Sequence, residues 1–140
     1  MKKVFEKRKK LKSTSRSVQE IEPLLSEVRS HVEIPDDVFY NILISATEAV
    51  NNAIIHGNKY DENKTVLIRI VLKDHKLILE VRDEGSGFEP EKLEDPRDPK
   101  NLLKANGRGV FLIKTLMDNV EYRIDKKGTV LKMTLDLSKA

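Results

Sequence analysis

Glu48-Ala49-Val50-Asn51-Asn52-Ala53-Ile54-Ile55-His56-Gly57-Asn58 is the stretch that decides how this chain is read. Glu48, Asn52 and His56 recur at i, i+4 and i+8, so on a helix successive members lie about 40° apart and form a polar stripe. A carboxamide oxygen is a hard neutral ligand suited to Mg²⁺, which takes oxygen donors and keeps several waters. A carboxylate one turn away could accept a proton from a hydroxyl attacking a phosphate. An ordinary solvated helix face has the same spacing. The pair Asn51-Asn52 favours the chemical reading, because asparagines destabilise a helix interior and need another reason to be there.

Two further segments extend the pattern. Asp83-Glu84-Gly85-Ser86-Gly87-Phe88 puts a carboxylate before a glycine turn. An ionised aspartate only accepts hydrogen bonds, which suits an exocyclic amine such as that of adenine. Glycines let backbone approach a flat base without a side chain in the way. A plain turn has the same composition. Gly107-Arg108-Gly109-Val110-Phe111 reads as a helix start, where unpaired N–H groups and the helix dipole favour a phosphate. A loop-to-helix junction relieved by glycines is the other reading. Each segment alone is weak; their order makes the case.

Around these segments, Val4 to Thr14 alternates weakly, as an edge strand would. Ser17-Val18-Gln19-Glu20 fits a capping box for a helix carrying Val18, Ile21, Leu25, Val28 and Val32, but Pro23 argues for a start nearer Ile21. Pro35-Asp36-Asp37 opens a second helix through Val38, Ile42, Ala46, Ala49 and Ala53, with Gly57 available to close it in the left-handed conformation. Thr65–Leu72 and Lys76–Asp83 read as an antiparallel hairpin. Residues 89–106 hold three prolines and no periodicity, the mark of a lid, a binding loop or disorder. A third helix and two strands, Val120–Asp125 and Thr129–Leu137, complete an α+β chain with helices on one face of a mostly antiparallel sheet.

At 140 residues, with 39% hydrophobic and 35% charged content, residues 1–140 are expected to form one soluble domain. No apolar run suggests a membrane span or a signal peptide. With no cysteine, disulfides and thiolate metal sites are excluded, and the cytoplasm is the expected compartment. The net charge of +3 is uneven: Met1–Arg16 holds eight basic residues and one acid. This basic arm reads as a lysine-rich edge strand rather than a nucleic-acid or membrane contact, because aromatic interleaving is missing. His31 and His75 lack partners at ligand spacing, and no Ser–His–acid or zinc arrangement stands out.

In this order the three segments resemble the N box and the two glycine boxes of the Bergerat-fold (GHKL) ATP-binding superfamily, which includes histidine kinases, MutL and gyrase B. Gly128-Thr129 is similar to its late Gly-Thr, and the N box looks most like that of the anti-sigma-factor serine kinases. The resemblance implies a two-layer sandwich, a mostly antiparallel mixed sheet covered on one face by about three helices. It implies ATP and Mg²⁺ as cofactors, with Asn52 as metal ligand and Glu48 as general base. Asp83 would hold the adenine amine, with Gly85, Gly87 and Thr129 shaping that pocket. Gly107 and Gly109 would bind phosphates, with Lys104 or Arg108 neutralising charge and residues 89–106 as the ATP lid.

The implied activity is a serine/threonine-protein kinase of a partner-switching circuit. Its substrate would be a STAS-domain anti-sigma-factor antagonist, and it would sequester a sigma factor as a homodimer, with no nucleic-acid or membrane contact. One departure supports an alternative. Close relatives often carry an arginine two residues before the second glycine box, where this chain has Ala105. A regulatory module that binds ATP without transferring phosphate would tolerate that change.

Overall fold

A computed structural model describes residues 3–85, 107–125 and 127–139. The expected lid (89–106), with Lys104 and Ala105 in it, and Gly87 lie outside the described residues. Five strands form one sheet: β1 (Lys3–Lys12), β2 (Thr65–Lys73), β3 (Lys76–Arg82), β4 (Asn119–Asp125) and β5 (Gly128–Asp136). Their order is β1-β2-β3-β5-β4, and every described pairing is antiparallel. The basic segment is therefore an edge strand, as expected. Lysines on an edge discourage pairing with a foreign strand.

Alternation puts one residue set of each strand under the helices. Leu79 lies opposite Ile70 on β2 and Met133 on β5, and Val81 lies opposite Ile68 and Leu131. All of these are buried. Three helices cover that face: α1 (Ile21–Ser26), α2 (Asp36–Asn52) and α3 (Gly107–Leu116). Helix α2 turns Ile42, Ala46, Ala49 and Val50 into the core. Fully burying one leucine or isoleucine side chain stabilises by roughly 1.5–3 kcal/mol, so this shared layer holds the fold. The other face is charged; there Arg69 bridges Glu6 at 2.8 Å and Glu80 at 3.0 Å.

Three local expectations are corrected. Ser17 does not cap a helix: its Oγ donates to the Lys12 carbonyl (2.7 Å), and a 3₁₀ turn over Ser15–Glu20 leads into α1. Pro23 then falls in the first turn of α1, where its missing N–H costs nothing. Pro35 sits just before α2 in an extended conformation rather than inside its first turn. The α-helical part of the second helix ends at Asn52 and gives way to a π turn over Ala53–Gly57. Gly57 does not adopt the left-handed conformation; Lys59 and Tyr60 do, at φ 52° and 59°.

The 22-residue stretch Asp36–Gly57 reaches the length and mean hydropathy (1.2) of a bilayer-spanning helix, although the sequence reading dismissed any such run. Its apolar side packs on the sheet, as expected of a core helix.

Candidate functional site

The π turn explains how the stripe on α2 meets the sheet. Widening the helix by one residue bonds the Asn58 N–H to the Ala53 carbonyl at 2.8 Å. Gly57 is thereby carried against the end of β3, where Asp83 stands. A Cβ on Gly57 would overlap the Asp83 carboxylate. A Cβ on Gly85 would come within 2.7 Å of the Gly57 carbonyl oxygen and 3.2 Å of Asp83 Oδ1. A Cβ on Gly128, at φ 145°, would overlap the Asp83 carbonyl oxygen. Glycines from three separate segments thus close around one aspartate, where any side chain would collide.

Asp83 is only 8% exposed. Its Oδ1 accepts the N–H groups of Gly85 and Thr129, each at 3.0 Å, and its own N–H donates to the Thr129 carbonyl at 3.0 Å. Among the described residues both bonds to the carboxylate end on Oδ1. Oδ2 remains for a donor from outside. Burial pushes the Asp83 pKa up, and the two backbone N–H bonds and the charges of Arg82 and Lys64 oppose that shift. Tyr122, on the same face of the sheet, is pushed up to about 12 by burial and then by the Asp83 charge.

The structure thus brings together Asp83, Gly85 and Thr129 of the expected site. Glu48 and Asn52 are half-buried, one turn apart on α2, the helix that leads into this cluster. Among the described residues Glu48 has no ion-pair partner. Asn52 Nδ2 is buried without a hydrogen-bond partner among the described residues, so this carboxamide has bonding capacity that the protein does not use. A carboxamide fits a hard cation, which binds the amide oxygen. One neutral ligand also matches Mg²⁺ held chiefly by phosphates and water; no cluster of three acidic or histidine ligands occurs among the described residues. Gly107, Arg108 and Gly109 form the first turn of α3, which packs on α2; the Arg108 side chain is outside the described set.

Sequence reading missed Asn58 as a site residue. It is 1% exposed and bonds Thr65 and, far off in sequence, Ser13 and Glu84. No local pattern announces such a residue, although an asparagine directly after a closing helix is a hint. Glu84 is likewise structural: the Thr65 N–H and hydroxyl hold its carboxylate below the usual range.

A one-faced antiparallel sandwich with a polar helix stripe, a caged aspartate and a glycine-led third helix defines a class. Residues 11–135 match the histidine kinase-like ATPase domain, and the chain belongs to that family. Among curated proteins it is similar to the anti-sigma F factor of Clostridium perfringens (strain SM101 / Type A), 32% identical over 126 residues, covering 86% of this chain and 81% of that one. It is also similar to the anti-sigma F factor of Bacillus subtilis (strain 168), 37% identical over 111 residues, covering 74% and 73%.

Two solved structures share the fold. One contains the RsbU and RsbW domains of Rv1364c from Mycobacterium tuberculosis (TM-score 0.70, 17% identity), where the match covers 95% of this chain and 32% of that longer one. The other is the catalytic domain of histidine kinase ThkA (TM-score 0.61, 15% identity; 94% and 96% covered).

Proposed function

We propose that this protein is an ATP-dependent serine/threonine-protein kinase of a partner-switching circuit. It phosphorylates a STAS-domain anti-sigma-factor antagonist and, as a homodimer in the cytoplasm, sequesters a sigma factor. The observation that carries the nucleotide half is the glycine-caged Asp83, with Oδ1 saturated by backbone N–H groups and Oδ2 left for an amine. The likeness to anti-sigma F factors supports the partner half.

Asp83 receives the adenine amine, in a pocket shaped by Gly85, Gly87 and Thr129. Gly107 and Gly109 offer backbone N–H groups to the phosphates, and Lys104 and Arg108 offset their charge. Asn52 presents its carboxamide oxygen to Mg²⁺, which offsets charge on the phosphates when bound. A serine hydroxyl then loses its proton to the Glu48 carboxylate as its oxygen bonds the γ-phosphorus. The bond from that phosphorus to the bridging oxygen breaks, and ADP leaves. Phosphoryl transfer asks mainly for positioning and charge stabilisation, which this set of residues can give.

A second reading rests on Ala105: a non-catalytic module that controls its partner by nucleotide-dependent binding alone. Incubation with γ-labelled ATP and a cognate STAS-domain protein separates the two. Label on a serine of the STAS protein is expected. Nucleotide-dependent complex formation without label would establish the binding module instead.

A further inference from the structure

We propose that Asn58 is a positioning residue for base reading: it holds the Asp83–Glu84 peptide so that Asp83 keeps one carboxylate oxygen toward the exocyclic amine of a bound purine. The inference rests on the nucleotide-binding reading above. The Asn58 carboxamide is fully engaged. Its Oδ1 accepts the Glu84 N–H at 2.7 Å, and its Nδ2 donates to Ser13 Oγ at 2.9 Å and the Thr65 carbonyl at 3.0 Å. Ser13 Oγ in turn donates to the Lys64 carbonyl at 2.7 Å, so the side chain is anchored by the residue that follows β1 and by the chain that enters β2.

The bonded N–H belongs to the peptide unit that carries the Asp83 carbonyl. The opposite end of that unit lies against Gly128, where a Cβ would overlap the carbonyl oxygen. The peptide plane is therefore gripped at both ends, by an amide oxygen on one side and a glycine on the other. Rotation of that plane would swing the Asp83 side chain, whose Oδ1 must stay on the Gly85 and Thr129 N–H groups for Oδ2 to remain available to a base. Because Asn58 follows the π turn directly, the helix bearing Glu48 and Asn52 and the strand end that reads the base are set by one side chain.

The test is calorimetric titration of the full chain with ATP and with inosine triphosphate, which lacks the exocyclic amine. The ratio of the two dissociation constants reports the alignment of Asp83; a loss of folded protein weakens both nucleotides alike and leaves the ratio unchanged. The unaltered chain is expected to prefer ATP, and Asn58→Ala to reduce the preference about fivefold or more. Ser13→Ala removes an anchor of Nδ2 but keeps the bond to Glu84. It is expected to lower the melting temperature while keeping the ratio within about twofold.

A folded Asn58→Ala that keeps the full preference overturns the role of Asn58, and so does Ser13→Ala losing the preference in step with its melting temperature. No preference in the unaltered chain overturns the base-reading assignment of Asp83 instead. Hydrogen exchange at the Glu84 amide needs no variant. Protection without nucleotide is expected, and free exchange would refute the preset geometry.

Discussion

Gly57 and Asp83 touch so closely that a methyl group added to the glycine would overlap the aspartate carboxylate. One closes the helix that carries Glu48 and Asn52; the other directly follows the central strand β3. Their contact joins the two halves of the candidate site, and it has measurable consequences.

Gly57→Ala is expected to displace Asp83 rather than merely stiffen a turn. Overpacking of this kind costs about 1–3 kcal/mol, and ATP affinity should fall with it. Thermal melting and calorimetry on the same sample check both. A variant of unaltered affinity would show that the aspartate does not need its place.

Asp83→Asn is expected to separate stability from binding. The raised pKa, caused first by burial, means that the folded state holds the proton more tightly than the unfolded one. Stability from this group therefore rises as pH falls through the window just above the ordinary aspartate range, and ionisation above that window costs stability. The asparagine variant should melt at or above the parent temperature at neutral pH, with a flatter dependence in that acidic window. ATP affinity should fall about tenfold or more, because an amide nitrogen would then face the amine. A destabilised variant that still binds ATP normally would reverse the assignment.

Glu48→Gln is expected to lower phosphoryl transfer by about a hundredfold or more while nucleotide affinity stays within about twofold. Single-turnover transfer to the STAS protein, run beside calorimetry, reads both quantities. Undiminished transfer would remove Glu48 as the base.

Tyr122 is expected to ionise late, near the value of about 12 set by burial and the Asp83 charge. Absorbance titration at alkaline pH should show one delayed phenol, and Asp83→Asn should bring it forward. A titration in which no phenol lags would place Tyr122 away from the carboxylate.

Leu79→Ala should destabilise the fold by about 2–5 kcal/mol in urea unfolding, because it opens a cavity between Ile70 and Met133 in the central strands. A loss under 1 kcal/mol, on the order of an exposed-surface change, would mean that the helix layer does not close over β3.

Much of this was legible along the chain. The hairpin of β2 and β3 follows from period-two alternation and the short Asp74-His75 turn, and α2 follows from its 3.6-residue apolar repeat behind two acids. These signals are local, so neighbouring residues are enough to carry them. The capping box at Ser17 failed because a competing acceptor, the Lys12 carbonyl, lies at the end of β1 and takes the hydroxyl.

By itself, then, the sequence determined the element types, the apolar layer between helices and sheet, and the candidates Glu48, Asn52, Asp83 and Thr129, because residue chemistry and spacing are written in contiguous stretches. Only the tertiary structure decided why Gly57 is a glycine, which oxygen of Asp83 has no partner among the described residues, and that Asn58 ties together the chain just after β1, the start of β2 and the chain just after β3. Those are relations between atoms brought near by chain closure. Steric exclusion and hydrogen-bond saturation act through space, so no local pattern encodes them.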